Sequence, residues 1–377
     1  MEGIPVIYLD HAATTPLDPQ VVDVMVDYLK NEYGNPSSKF YPQAERAKIS
    51  LAKSREQVAS LINSETDEII FTSGASESNN MVLKGIADAD PTQKVHIVTT
   101  AIEHKAILET CSFLETKGHE VTYLPVDSKG HISHDDLIKS IKCNTKLVSI
   151  MWGNNEIGTL NDIDSISKIC AEKNVPLHVD ATQVVGKIEV DLKTVAMDYM
   201  SLSAHKLYGP KGVGALYIKR DQYGLLPEIA PLIHGGSQEY ELRAGTHSMH
   251  NIVGFGKACE VAQQEMHEYI PRILELEKEF LKELHTKIPT AVINGDLENK
   301  IPGLLSISIP GLKNEVFLKM YSDEFALSSG SACGLGEPSH ILSAISTSEI
   351  TVNTIRLTIG KTSHTSLQSL IVKLSNF

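Results

Sequence analysis

The sequence predicts an α/β protein. A large domain, residues 15–256, carries a mixed, mostly parallel seven-stranded sheet, and a smaller α+β domain is made of residues 1–14 and 257–377. Three observations predict it. Short apolar runs alternate with amphipathic segments through the middle of the chain, as βαβ units require. The last two of those runs are joined through Tyr-Gly-Pro-Lys-Gly212, too short for a crossover helix, so that pair is antiparallel. After about Gly256 the alternation gives way to a long charged helical pattern.

Taken in order, the strand candidates are Glu68–Thr72, Val95–Thr99, Glu120–Pro125, Lys146–Trp152, Pro176–Val179, Tyr199–Ser203 and Val213–Ile218. Between them lie segments such as Asn161–Lys173, whose apolar residues Ile163, Ile166, Ile169 and Cys170 fall on one helical face. The helical pattern beyond the sheet covers Lys257–Lys287, and Pro271 is expected to kink or divide it. Further short apolar runs follow, among them Leu304–Ile309.

Composition narrows the function classes. The chain has 377 residues, 42% of them hydrophobic and 21% charged, which excludes a disordered or fibrous protein. Its formal charge of −13 argues against direct nucleic-acid or anionic-membrane binding. No apolar run reaches the length of a membrane span and no signal peptide is visible, so a cytoplasmic location is expected. None of the five cysteines forms a C-x-x-C pair, and no Cys/His spacing matches a zinc site; no metal is expected. Cys111, Cys143, Cys170 and Cys259 read as packing residues.

Three segments carry complementary chemistry. In Ile69–Asn80 an apolar strand runs into small residues, and a helix starts near Ser76 or Glu77; free N–H groups there suit a phosphate, although Ser76 could equally be a simple cap. Asp180, in His-Val-Asp-Ala-Thr-Gln183, follows a buried-type strand, where ligands of open α/β sheets bind; it too could be a cap. Lys206, in Ser-Ala-His-Lys206, follows another apolar strand, with Ser203 and His205 beside it as donors. A phosphate cup, an acid for a ring nitrogen and an amine for an aldehyde are the needs of pyridoxal 5′-phosphate.

A fourth segment holds Cys333 in a run of Gly, Ser and Ala, a setting that suits an exposed nucleophilic thiol or a small residue in a tight turn. His104 opens a helix after a strand and could stack on a flat ring or move a proton. Asn155 lies at a strand's edge. Arg356 alternates with apolar residues and could grip a carboxylate or form a structural ion pair.

With these residues in place, the sequence resembles the cysteine desulfurases of the nitrogen-fixation and iron–sulfur-cluster type, which are fold-type I pyridoxal-phosphate enzymes. The motifs run from Tyr-Leu-Asp-His-Ala-Ala-Thr-Thr-Pro16 to Thr-Ile-Arg-Leu-Thr358. Between them lie Tyr-Gly-Asn-Pro-Ser-Ser38, Ile-Glu-His-Lys105, Asn-Asn-Glu-Ile-Gly158, Arg-Ala-Gly-Thr246 and Ser-Ser-Gly-Ser-Ala-Cys333. General aminotransferases share the lysine and aspartate but lack that cysteine loop.

The resemblance implies roles. Lys206 would bond the cofactor's aldehyde and move protons; Asp180 would pair with the ring nitrogen and Gln183 with the ring hydroxyl. Ala75 and Ser76 amides, with Ser203 and His205, would hold the phosphate, and Thr246 would reach the phosphate of a partner subunit, implying a homodimer with shared sites. His104 would stack on the ring. Asn155 and Arg356, with Asn35 close by, would bind the substrate's carboxylate end. Cys333 would take the sulfur of L-cysteine as a persulfide, leaving alanine, and pass it to an acceptor protein serving iron–sulfur clusters, tRNA thiolation or DNA sulfur modification. The alternatives are a selenocysteine lyase, an aminotransferase, or a non-enzymatic scaffold of a sulfur pathway. Two departures stand out. Only Gly-Leu-Gly separates Cys333 from Glu337, which shortens the tether, and Phe40 and Gln43 replace a histidine and glycine of many relatives.

Overall fold

The computed structural model describes residues 6–329, 339–346, 353–363 and 367–377. Its strands are β1 (Ile7–Tyr8), β2 (Ile69–Thr72), β3 (His96–Thr100), β4 (Glu120–Leu124), β5 (Thr145–Met151), β6 (Leu177–Asp180), β7 (Tyr199–Ser203), β8 (Gly214–Ile218), β9 (Val292–Asn294), β10 (Leu304–Ser308), β11 (Phe325–Ala326) and β12 (Thr354–Thr358). Its helices are α1 (Pro19–Asn31), α2 (Pro42–Ile62), α3 (Ala75–Asp88), α4 (Lys105–Thr116), α5 (His134–Ser140), α6 (Ile163–Glu172), α7 (Met249–Lys287), α8 (Asn314–Met320), α9 (His340–Ile345) and α10 (Gln368–Ser375).

Seven strands form the central sheet in the order β2-β8-β7-β6-β5-β3-β4. Strand β8 runs antiparallel to both β2 and β7, and the other pairs are parallel. The short β7–β8 connection is the reason for the reversal. All seven strands overlap the runs anticipated from apolar patterning. Strand period sorts their side chains: Ile69, Met200 and Ala215 join one core, while Ile70, Tyr199 and Leu216 join another on the opposite face. The first core packs against α2, α6 and the start of α7; the second packs against α3 and α4. Both faces are thus covered, and β3, β6, β7 and β8 are buried throughout, as a parallel sheet demands. The edge strand β4 is the more exposed one.

A three-stranded antiparallel sheet, β12-β10-β9, and the parallel pair β1-β11 lie around a third core. Helix α7 serves two cores. Ile252, Phe255 and Ala258 enter the first, while Tyr269, Ile273, Phe280 and Leu284 enter the third. Two expectations are corrected here. The helix begins at Met249, ahead of Lys257, and runs through Pro271 undivided. Pro271 and His267 are both exposed, so the carbonyl that loses its i+4 donor can be solvated. Cys143 is exposed in the turn before β5, whereas Cys111, Cys170 and Cys259 are buried. Among the described residues no helix is long and apolar enough to cross a membrane.

Candidate active site

The C-terminal ends of the parallel strands deliver the site. His104 follows β3, Asn155 follows β5, Asp180 ends β6, and Lys206 closes the short 3-10 turn after β7. Strands β6 and β7 are neighbours, so the acid and the amine enter side by side. Together these ends line a cavity of about 500 Å³. In open α/β sheets ligands sit at this edge because the strand ends and helix N-termini converge there.

The Lys206 Nζ donates to the carbonyls of Ala12 and Ala13, each at 2.6 Å. The segment before α1 therefore forms one wall. Asp180 is buried, and its oxygens are held apart: Oδ2 accepts from Asn79 Nδ2 at 2.7 Å, and Oδ1 from the Thr182 N–H at 3.0 Å. Gln183 donates through Nε2 to the Ala12 carbonyl at 2.9 Å. His104 caps α4, its Nδ1 accepting the Ala106 N–H at 3.1 Å. An imidazole that accepts at Nδ1 and stays neutral carries its proton on Nε2. Burial pushes this imidazole below its ordinary value against the pull of Asp180, with Lys206, His340 and Lys105 adding to the shift.

The opposite end of the cavity is built from small residues. Helix α3 starts at Ala75 and has no side-chain cap, so the N–H groups of its first turn are left to a ligand or solvent. The cap reading of Ser76 is thereby set aside; Gly74 is the N-cap residue. Gly214 lets this turn come close: a Cβ there would lie 2.4 Å from the Leu202 carbonyl oxygen and 2.7 Å from Gly74 Cα. Ser203 and His205 stand beside it on the cavity wall. Burial, with Lys206, Lys211 and Lys187 nearby, lowers His205 to about 4, so it acts as a neutral donor or acceptor; its Nδ1 lies 3.2 Å from Thr14 Oγ1.

Arg356, on β12, reaches the cavity from the second sheet and is buried there. Its guanidinium donates to the Asn155 carbonyl at 2.9 Å and to Asp10 Oδ1 at 2.7 Å. The ion-pair reading of this arginine is the one seen here, and the residue also lines the cavity. The Asn155 Oδ1 is buried with no partner among the described residues, and Glu156 Oε1 beside it is likewise unpartnered. Burial raises the Glu156 carboxyl above its ordinary value, against a bond from Ser339 and the pull of Arg356.

Ala75, Ser76, His104, Asn155, Asp180, Gln183, Ser203, His205, Lys206 and Arg356 all line this cavity. Asn35 and Thr246 do not. Their neighbours Pro36, Ser37 and His247 line a separate pocket of about 330 Å³ with Arg55 and Gln238. Cys333 lies outside the described residues. Sequence reasoning missed the carbonyls of Ala12 and Ala13, which carry no residue signature. It also missed Asn79 and Asp10, which sat unremarked inside quoted motifs. His340 was missed as well; it lines the cavity with Nε2 on the Glu103 carbonyl at 3.0 Å.

The donor set fits pyridoxal 5′-phosphate. A buried carboxylate and an amine line one cavity, a glycine-lined helix start supplies N–H groups, and the Asn155 amide oxygen, buried without a partner among the described residues, belongs to a residue whose backbone carbonyl is bonded by Arg356. Comparison with known proteins points the same way. Residues 7–365 match the family model described as aminotransferase class-V. A curated relative, cysteine desulfurase IscS of Dictyoglomus turgidum, is 45% identical over 94% of this chain and 89% of its own. Among solved structures, a NifS-like protein superposes with a TM-score of 0.91 at 36% identity over 99% of both chains. A structure described as SspA in complex with cysteine superposes at 0.83 and 36% identity, over 94% of this chain and 99% of that one.

Proposed function

The chain belongs to the aminotransferase class-V family, and from that premise we propose that it is a cysteine desulfurase: it takes sulfur from L-cysteine onto Cys333, releases L-alanine and hands the sulfur to an acceptor protein. The observation that carries the reading is the pairing of Lys206 and Asp180 at adjacent strand ends on one cavity that Arg356 also lines.

Pyridoxal phosphate, when bound, supplies an aldehyde for the amino group and a ring that accepts the electron pair left as Cα loses its proton. Lys206 would hold that aldehyde through Nζ and carry the proton. The Asp180 carboxylate would keep the ring nitrogen protonated, and its bonds to Asn79 and Thr182 fix it for that task. The first-turn N–H groups of α3, with Ser203 and His205, would hold the phosphate. His104 would face the ring and donate from Nε2. Arg356 and Asn155 would orient the substrate carboxylate. The Cys333 thiolate would form a bond to the substrate sulfur as the substrate's carbon–sulfur bond breaks, with that bond's electron pair passing to the carbon skeleton, which takes up protons to become alanine.

In the same reading, residues 15–256 are the large cofactor-holding domain, and residues 1–14 with 257–377 are the small one. Thr246, and with it Asn35, would complete the site of a second copy in a homodimer. The acceptor could serve iron–sulfur clusters, tRNA thiolation or DNA sulfur modification; the neighbour SspA, solved with cysteine, is one relative whose acceptor would be worth testing.

Incubation of the loaded protein with L-cysteine and a reductant should yield alanine and sulfide in equal amounts. Cys333→Ala should keep the cofactor's visible absorbance and lose both products. Full turnover by that variant, or transamination in place of sulfide release, would overturn the proposal.

A further inference from the structure

Lys187 was singled out by neither motif nor mechanism, yet it touches the site at one remove. The chain turns after Gln183 through Gly186, whose φ of +77° no L side chain favours, and this brings Lys187 back over the glutamine. Its Nζ donates to Gln183 Oε1 at 2.9 Å. Lys187 itself does not line the cavity.

We propose that Lys187 is a positioning residue that fixes which end of the Gln183 amide faces the cavity, and through it the hydrogen-bonding surroundings of the cofactor's ring oxygen. This rests on the cofactor reading given above. An amide has one donor end and one acceptor end, and a protonated lysine amine can only donate. With Oε1 committed to Lys187, the NH₂ end must point away from it. That end donates to the Ala12 carbonyl at 2.9 Å, the same oxygen that accepts from Lys206 Nζ at 2.6 Å. Lys187, Gln183, Ala12 and Lys206 therefore form one hydrogen-bonded chain, in which the amide is held by the lysine donor at Oε1 and by the Ala12 carbonyl at Nε2. Without Lys187 the amide could rotate and present an oxygen to a ring oxygen, two acceptors face to face.

Charge reinforces geometry. The charged and titratable groups facing Lys187 are Lys206 and Arg356, with His11 and His205 also feeling its charge. Burial and the first two cations lower Lys187 to about 7. Below that pH the Lys187 cation opposes protonation at the Lys206 nitrogen, so its removal should ease it.

The test is an absorbance titration of the protein loaded with pyridoxal phosphate, with activity as a secondary readout. In Lys187→Met the pH midpoint of the visible band should rise by about one unit, the scale of one hydrogen bond to a charged group. Lys187→Arg should restore the parent midpoint. Gln183→Ala combined with Lys187→Met should shift by less than the two single shifts summed, because part of the lysine's effect runs through the glutamine. If Lys187→Met does not fold, Lys187→Leu, which likewise removes both the cation and the donor, should show the same rise. An unchanged midpoint in the folded variant, or additive shifts in the double variant, overturns the inference while leaving the function intact. A parent protein that takes up no pyridoxal phosphate overturns both.

Discussion

Asp180 illustrates how much a single side chain owes to its neighbours. Buried at the end of β6, it keeps two donors of its own, so it is held in one orientation before any ligand arrives. Replacing it with asparagine removes the charge and leaves the shape. Loss of an ionic partner in a buried site is worth ~3 kcal/mol, so turnover of cysteine in Asp180→Asn should fall about a hundredfold or more. Steady-state kinetics would check this, and parent-like rates would remove Asp180 from the mechanism. His11 makes a second prediction at this scale. It is buried between Tyr8 and Tyr208. Burial, helped by Lys187, lowers it to about 4, below an unfolded value of ~6.5. Between those values the unfolded chain binds the proton more readily, so stability present above pH ~6.5 is lost as pH falls toward 4. His11→Leu should make that loss shallower in melting curves taken across the window. Identical pH profiles for parent and variant would contradict the assignment.

Among elements, the turn into α3 and the helix α7 respond in opposite senses to small changes. A methyl group on residue 214 would meet backbone atoms of Leu202 and Gly74, which cannot swing aside. Gly214→Ala should therefore displace the first turn of α3 and weaken retention of pyridoxal phosphate at least tenfold, measured by equilibrium dialysis. Pro271 sits exposed inside α7. Pro271→Ala restores a helical hydrogen bond and releases some unfolded-state freedom, for a net gain of about 1–2 kcal/mol in urea unfolding. A loss of stability would mean that the proline is needed for the helix's course.

These elements also show what could be read in advance. The seven central strands were legible because buried strands are unbroken apolar runs between helical patterns, and Asp180 and Lys206 were legible because each follows such a run. The start of α7 was not: Met249–Gly256 lacks the charged pattern of the rest, because its residues face a core shared with the sheet. Nor were Ala12 and Ala13 legible as partners of Lys206, since a carbonyl contact 194 and 193 residues away leaves no trace in side-chain chemistry.

At the scale of the whole molecule, α7 couples two cores that could otherwise unfold separately. The single tryptophan, Trp152, belongs to the first core, whereas Phe280 is buried in the one around the second sheet. Phe280→Ala leaves a cavity that should cost about 3–5 kcal/mol. If the helix makes the cores one cooperative unit, the Trp152 fluorescence midpoint in denaturant should drop with the far-ultraviolet one. A Trp152 transition that stays in place would show two independent units.

The ion pair between Asp10 and Arg356 spans 346 positions along the chain, and it ties one wall of the cavity to strand β12. A ribosome emitting this protein from its amino end cannot complete that wall until Arg356 has cleared the exit tunnel. Nascent chains stalled before that residue should therefore be unable to capture vitamin B6, however well the central sheet has already formed.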